Sequence, residues 1–263
     1  MSTGRGAPGG AADSAGQPWA GRVLRPNPFA GDDGSADPAV AAALAVDDDG
    51  ERLRAVARAL AAARVIVPVV AHAHPGQDDG GDVAGHTKHG SGDPAADACA
   101  SAAMVSVRTP DGRAALPVFS SVATMTAWNA GARPVPVEAP RAALAAVSDA
   151  DSLLVLDPGG PVPALLGRPA VWALAQQREW VPSWADPELP GVAAQALRGI
   201  PELLGVRLER GRKAELRAVL AVGADLTRAQ AEAAVARASE ALGADPVLTD
   251  RVDSLELYPV VGT

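Results

Sequence analysis

Cysteine is almost missing from this chain. Cys99 stands alone, so no disulfide can close within it, and a reducing, cytoplasmic setting is expected. Positive charge is also short. Lys and Arg number 23 against 31 Asp and Glu, a formal net charge of −8. That balance excludes a general nucleic-acid binder, whose affinity rests on excess cations. No apolar run approaches the ~18 residues a membrane span needs, and the Gly/Pro/Ala-rich start has no apolar core of a signal peptide. G-x-S-x-G, H-E-x-x-H, Walker A, C-x-x-C and kinase signatures are all absent. No histidine falls in a segment that reads as helix or strand, and the carboxylates form no identifiable pair. The expectation is a protein without catalysis and without a cofactor.

What the chain does contain is organised around Ala103–Val137. Met104, Val105 and Val107 favour strand. Thr109-Pro110-Asp111-Gly112 is turn chemistry: Pro sets φ, Asp bonds its own backbone, and Gly takes φ > 0. Leu116, Val118 and Phe119 return as the second strand of a hairpin. Ser120 and Ser121 offer an N-cap. Val122, Met125 and Trp128 then recur at a helical interval, which predicts one buried face. Arg133-Pro134-Val135-Pro136-Val137 must be extended, and its prolines confine it to a sheet edge or rim.

The run LPVFSS…AWNAGARPVPV, followed by SLLVLDPGGP at Ser152–Pro161, resembles the N-terminal domain of the SseB family, bacterial proteins named for enhanced serine sensitivity. The resemblance runs from about Asp37 to Gln177. Its motifs are turns, a helix entry and a proline strand. They imply a fold and carry no catalytic residues.

The expected class is α+β: a mixed, mostly antiparallel sheet flanked by short helices, followed by a small α+β C-terminal module. The expected division is a disordered tail over 1–35, an SseB N-terminal-like domain over 36–180, a linker over 181–191 and a small C-terminal domain over 192–263. Before the central stretch, Asp37-Pro38 opens a helix, Asp47–Gly50 breaks it, and a second helix runs from Glu51 with Leu53, Val56, Ala57 and Leu60 as its apolar stripe. After it, Pro140–Val147 reads as a helix with Leu144 and Val147 inward, and Ser152–Leu156 as a mid-sheet strand. Val192–Leu204 reads as helix, with strands over Val206–Glu209 and Glu215–Val222. Thr227–Gln230 is a capping box, whose helix carries Ala231, Ala234, Val235, Ala238 and Leu242 to Gly243. Arg251–Pro259 closes a three-stranded sheet whose edges suit homodimerisation.

Three clusters are candidates for binding. His72, His74, His86 and His89 share one Gly/Asp-rich loop, readable as a zinc site or as a solvated polar insertion. Trp180 and Trp184 sit in a Pro-rich linker, either plugging a groove between domains or facing a protein partner. Arg210, Arg212 and Lys213 form the tip of a hairpin with a local cationic surplus. Such a tip serves an acidic partner or anion, or keeps a sheet edge soluble. The Asp47–Asp49 run reads as helix capping ahead of calcium, and the Gly159-Gly160 turn as a turn ahead of a phosphate cradle. The function expected is binding of an unidentified protein or a small ligand, with metal binding or an unrecognised enzyme activity as alternatives.

Overall fold

The computed structural model describes residues 28–71 and 102–262. The chain divides into two units, one of Met1–Asp33 with Val70–Ala103, the other of Gly34–Val69 with Met104–Thr263. The second unit carries nearly all of the described elements, and its fold is α+β.

Helix α1 (Pro38–Leu44) begins where the Asp37 carboxylate accepts the N–H groups of Ala39 and Val40. Helix α2 (Asp49–Leu60) begins in the same way at Asp48, which accepts from Gly50 and Glu51. The acidic run is therefore the start of α2, as its capping chemistry implies. Strand β1 (Arg64–Ala71) comes next, and after it β2 (Ala102–Met104) and β3 (Val107–Arg108). The Pro110-Asp111-Gly112 turn, with Gly112 at φ 86°, returns the chain into β4 (Ala114–Val118). Strands β3 and β4 pair antiparallel, as the hairpin reading expects, over only two residue pairs, Val107↔Ala115 and Arg108↔Ala114.

Ser121 caps α3 (Val122–Trp128) in a reciprocal box with Thr124. Of the three residues expected on its buried face, Met125 is buried, while Val122 and Trp128 are partly covered. Strand β5 (Arg133–Glu138) pairs antiparallel with β1, placing Pro136 opposite Ile66 and Pro134 opposite Pro68. Helix α4 (Ala139–Asp149) packs through Ala139, Ala142, Ala143 and Ala146. Leu144 turns out 58% exposed, contrary to the inward reading. The small side chains, not the large one, face the core, because the helix lies close on its neighbours.

Strand β6 (Leu154–Leu156) is buried at every position and runs between β4, which it meets parallel, and β7 (Ala164–Leu166), which it meets antiparallel. A bridge between Ile66 and Phe119 ties β1 to the end of β4. Helix α5 (Arg168–Ala175) closes this half over a core that includes Val56, Leu60, Val118, Leu154, Leu166 and Val171.

A single 3-10 turn, Ser183–Ala185, leads to α6 (Leu189–Ala196). This helix is shorter than expected. The chain turns at Arg198–Pro201, and β8 (Leu203–Arg210) already takes up Leu203 and Leu204. Strand β9 (Leu216–Val222) is central, antiparallel to β8 and parallel to β10 (Leu255–Val261). Helix α7 (Arg228–Ala244) starts at the Thr227/Gln230 capping box and buries Ala234, Ala238 and Leu242. It runs past Gly243 and stops at Asp245, which also caps an additional short helix, α8 (Pro246–Arg251). These elements enclose a second core around Leu189, Leu216, Leu220 and Leu248.

Candidate functional site

Trp180, Trp184, Arg210, Arg212 and Lys213 all line one cleft of about 580 Å³. The first half supplies Asp49, Gly50 and Leu53 from α2 and Pro110, Asp111 and Arg113 from the β3–β4 turn. The second half supplies the β8–β9 turn and the Asp253-Ser254 step before β10.

The two indoles belong to different cores. Trp180 packs on the first and Trp184 on the second. They meet edge to face, with ring centroids 5.9 Å apart and planes at 86°, a geometry in which the positive ring edge meets the negative face. Both are partly buried, and both line the cleft.

The basic tip is mostly neutralised. Arg207 pairs with Glu209. Arg217, 8% exposed, reaches Glu256 at 2.9 Å and Glu209 at 3.6 Å and lies 5.0 Å over the Tyr258 ring. Arg210 reaches back to Asp48 at 3.1 Å, tying the tip to the start of α2. Asp48 is itself held below the usual carboxylate range, first by the Glu51 N–H and then by Arg210. The Arg212 N–H donates to Glu256 at 2.6 Å. Among the described residues, the Arg212 guanidinium and the Lys213 ammonium have no ion-pair partner, and both residues are exposed.

A polar network that no motif announces crosses the floor. Arg113 donates through both terminal nitrogens to Asp253, at 2.9 and 2.8 Å across 140 residues of sequence. This is the bidentate fork that makes Arg–carboxylate pairs directional. Asp253 also accepts the Arg168 N–H at the start of α5, at 2.9 Å. That approach needs Gly167, where a Cβ would stand 2.7 Å from the Asp253 Cβ. The Asp253 N–H donates to Glu215 at 2.6 Å, and the other Glu215 oxygen accepts from Ser183 Oγ at 2.9 Å.

Burial pushes the Glu215 carboxyl above its usual range, against these two hydrogen bonds. At Asp253 burial acts in the same direction, but the Arg113 fork and the Arg168 N–H outweigh it and hold the carboxyl below its usual range. Two carboxylates in a cleft with divergent proton affinities are the raw material of acid–base chemistry. Here every oxygen of both already carries a protein donor. The pair fastens the first half, the linker and the second half together.

Elsewhere, Asp157 in the Gly-Gly turn has φ 51° and is buried, accepting from the Ser120 N–H at 2.8 Å and Ser120 Oγ at 2.6 Å. The turn is anchored by that carboxylate. His72, His74, His86 and His89, with Cys99, lie outside the described residues. Among the described residues no group of three or more His, Cys, Asp or Glu is placed to hold a metal, and no helix is long and apolar enough to cross a membrane.

The indoles and the cationic tip are visible in the sequence, because clustering of rare residue types shows locally. Arg113, Ser183 and Asp253 are not, and Glu215 reads there only as a counter-charge, because their partners are distant in the chain.

Comparison with characterised proteins and with solved structures returned no match. The family model for the SseB protein N-terminal domain matches residues 37–173. That span holds α1 through most of α5 and the first wall of the cleft, while the indoles and the cationic tip lie beyond it. It covers more than half of the chain, which therefore belongs to the SseB family.

Proposed function

We propose that this SseB-family chain is a non-catalytic binding protein that holds an acidic segment of a protein partner in the cleft between its two cores. The observation that carries the reading is the pairing of unengaged cations with indoles in one cleft. Among the described residues, Arg212 and Lys213 stand without counter-ions in the cleft that Trp180 and Trp184 also line. Carboxylates of a partner would neutralise the first pair, and apolar side chains between them would lie on the second. The bonded-out state of Glu215 and Asp253 favours binding over turnover. A lone cysteine fits a cytoplasmic setting.

The test is fluorescence anisotropy with a labelled peptide alternating Glu with Leu and Trp. Saturable binding is expected, weakening as salt screens the cations. The double variant Arg212→Glu, Lys213→Glu should weaken it at least about tenfold, since each exposed charge reversal adds repulsion to a lost attraction. Equal affinity of parent and double variant, or tighter binding at high salt, would sink the reading.

A further inference from the structure

A second cavity, of about 300 Å³, also lined by Trp180, lies between α2 and the end of α5. Its floor is apolar, with Ala57, Ala61, Ala170 and Leu174. Its polar lining is cationic: Arg54, Arg58 and Arg178 against one carboxylate, Glu179. Glu179 is already paired with Arg58, at 3.0 Å. Arg54 and Arg178 have no counter-ion among the described residues. This surplus stands in a chain of net charge −8. Arg54 and Arg58 are also four residues apart on α2, where like charges repel.

Two of the lining residues carry unpartnered donors. The Arg54 Nε–H and the Trp180 Nε1–H are buried and have no hydrogen-bond partner among the described residues. Buried donors are nearly always satisfied, and two orphans on residues lining one cavity point to a missing acceptor. At the nearby end of α5, the carbonyls of Trp172, Ala173 and Leu174 accept from Gln176, Arg178 and Gln177.

We infer that this cavity binds a small organic anion, a carboxylate or phosphate on a compact apolar body. The oxyanion accepts from Arg54 in a fork and from the Trp180 indole, with Arg178 at the rim, and the body rests on the alanines and Leu174. Both orphan nitrogens are closed to solvent as they stand, so occupation includes a side-chain turn that opens them to the cavity. The site shares only Trp180 with the cleft and does not rest on the cleft's proposed function.

Isothermal titration of the full chain with benzoate, phenyl phosphate and neutral benzyl alcohol tests this. At least one anion should bind saturably and benzyl alcohol at least about tenfold more weakly, and the preferred anion identifies the head group. Arg54→Gln and Trp180→Phe should each weaken binding several-fold. Arg178→Gln, an exposed change that leaves folding intact, should weaken it less. Arg212→Gln in the cleft should leave it unchanged. No binding by either anion, equal binding of benzyl alcohol, or loss with Arg212→Gln but not with Arg54→Gln or Arg178→Gln would each overturn the inference.

Discussion

Glu215 and Asp253 touch, yet their surroundings push their proton affinities apart. Glu215 has exchanged water for one hydroxyl and one peptide N–H, which do not replace full hydration of a charge. Asp253 has a guanidinium fork, which does. Their effects on stability run in opposite directions. Glu215, raised, contributes most while protonated, below its ordinary value of about 4.3, and that contribution is lost as pH climbs through its raised folded value. Asp253, depressed, contributes fully above its ordinary value of about 3.9 and loses that contribution as pH falls through its lower folded value. Glu215→Gln keeps an acceptor for the Asp253 N–H and leaves Ser183 Oγ to accept from the amide. The variant should therefore gain on the parent as pH rises from about 5 to about 8. Melting temperatures whose difference stays constant across that range would contradict this assignment of the buried charge.

At the scale of elements, most starts were visible in the chain and most ends were not. Asp37, Asp48, Ser121 and Thr227 all cap the helices their chemistry announces, because a cap is a bond between residues two or three apart. Ends depend on what the element meets. Gly243 offers a stop, but α7 continues to Ala244 because Asp245 both closes it and opens α8. The Val192–Leu204 run divides because Leu203 is drawn into β8 by pairing with Val222 of β9, with Leu204 at a register shift before Gly205 pairs with Ala221. Leu144 follows the helical period yet faces out, since alanines suit the close contact better. The Thr227 cap is open to a direct check. Thr227→Ala removes the hydroxyl that accepts the Gln230 N–H and bonds Gln230 Oε1, leaving only the backbone N–H arm of the box, and should cost about 1 kcal/mol, a drop of roughly 2–4 °C in Tm for a chain of this size. A melting curve indistinguishable from the parent's would show that α7 is held by its buried face alone.

At the scale of the whole second unit, the contacts that join the two hydrophobic cores include an edge-to-face indole pair, the Arg210–Asp48 contact, the Arg168 guanidinium on the Thr249 and Val252 carbonyls, and the network centred on Asp253. The network is the strongest of these, since it is the most sheltered from water. Asp253→Ala leaves the two terminal nitrogens of Arg113 and the Arg168 N–H without this acceptor, while Arg113 Nε keeps Asp111, and should cost about 2–3 kcal/mol. Because the loss falls on the junction, it should loosen one core from the other. Calorimetry is expected to resolve two transitions where the parent shows one. A single transition, shifted or not, would mean that the contacts left in place, the indole pair among them, couple the cores without the network.

The sequence was enough to establish the α+β class, the family, the hairpin turn, the proline edge strand and the helix caps. Each of these rests on residues within a few positions of one another, where backbone geometry and short-range hydrogen bonds act before any tertiary contact forms. It also marked Trp180, Trp184, Arg210, Arg212 and Lys213 as unusual, without saying that they share a cleft. Folding alone brought Arg113 to Asp253, set Glu215 beneath them, and left Arg54 and Trp180 lining one cavity with donors unpartnered. Those outcomes depend on which surfaces the two cores bury against each other, and no local pattern along the chain encodes a contact that spans 140 residues.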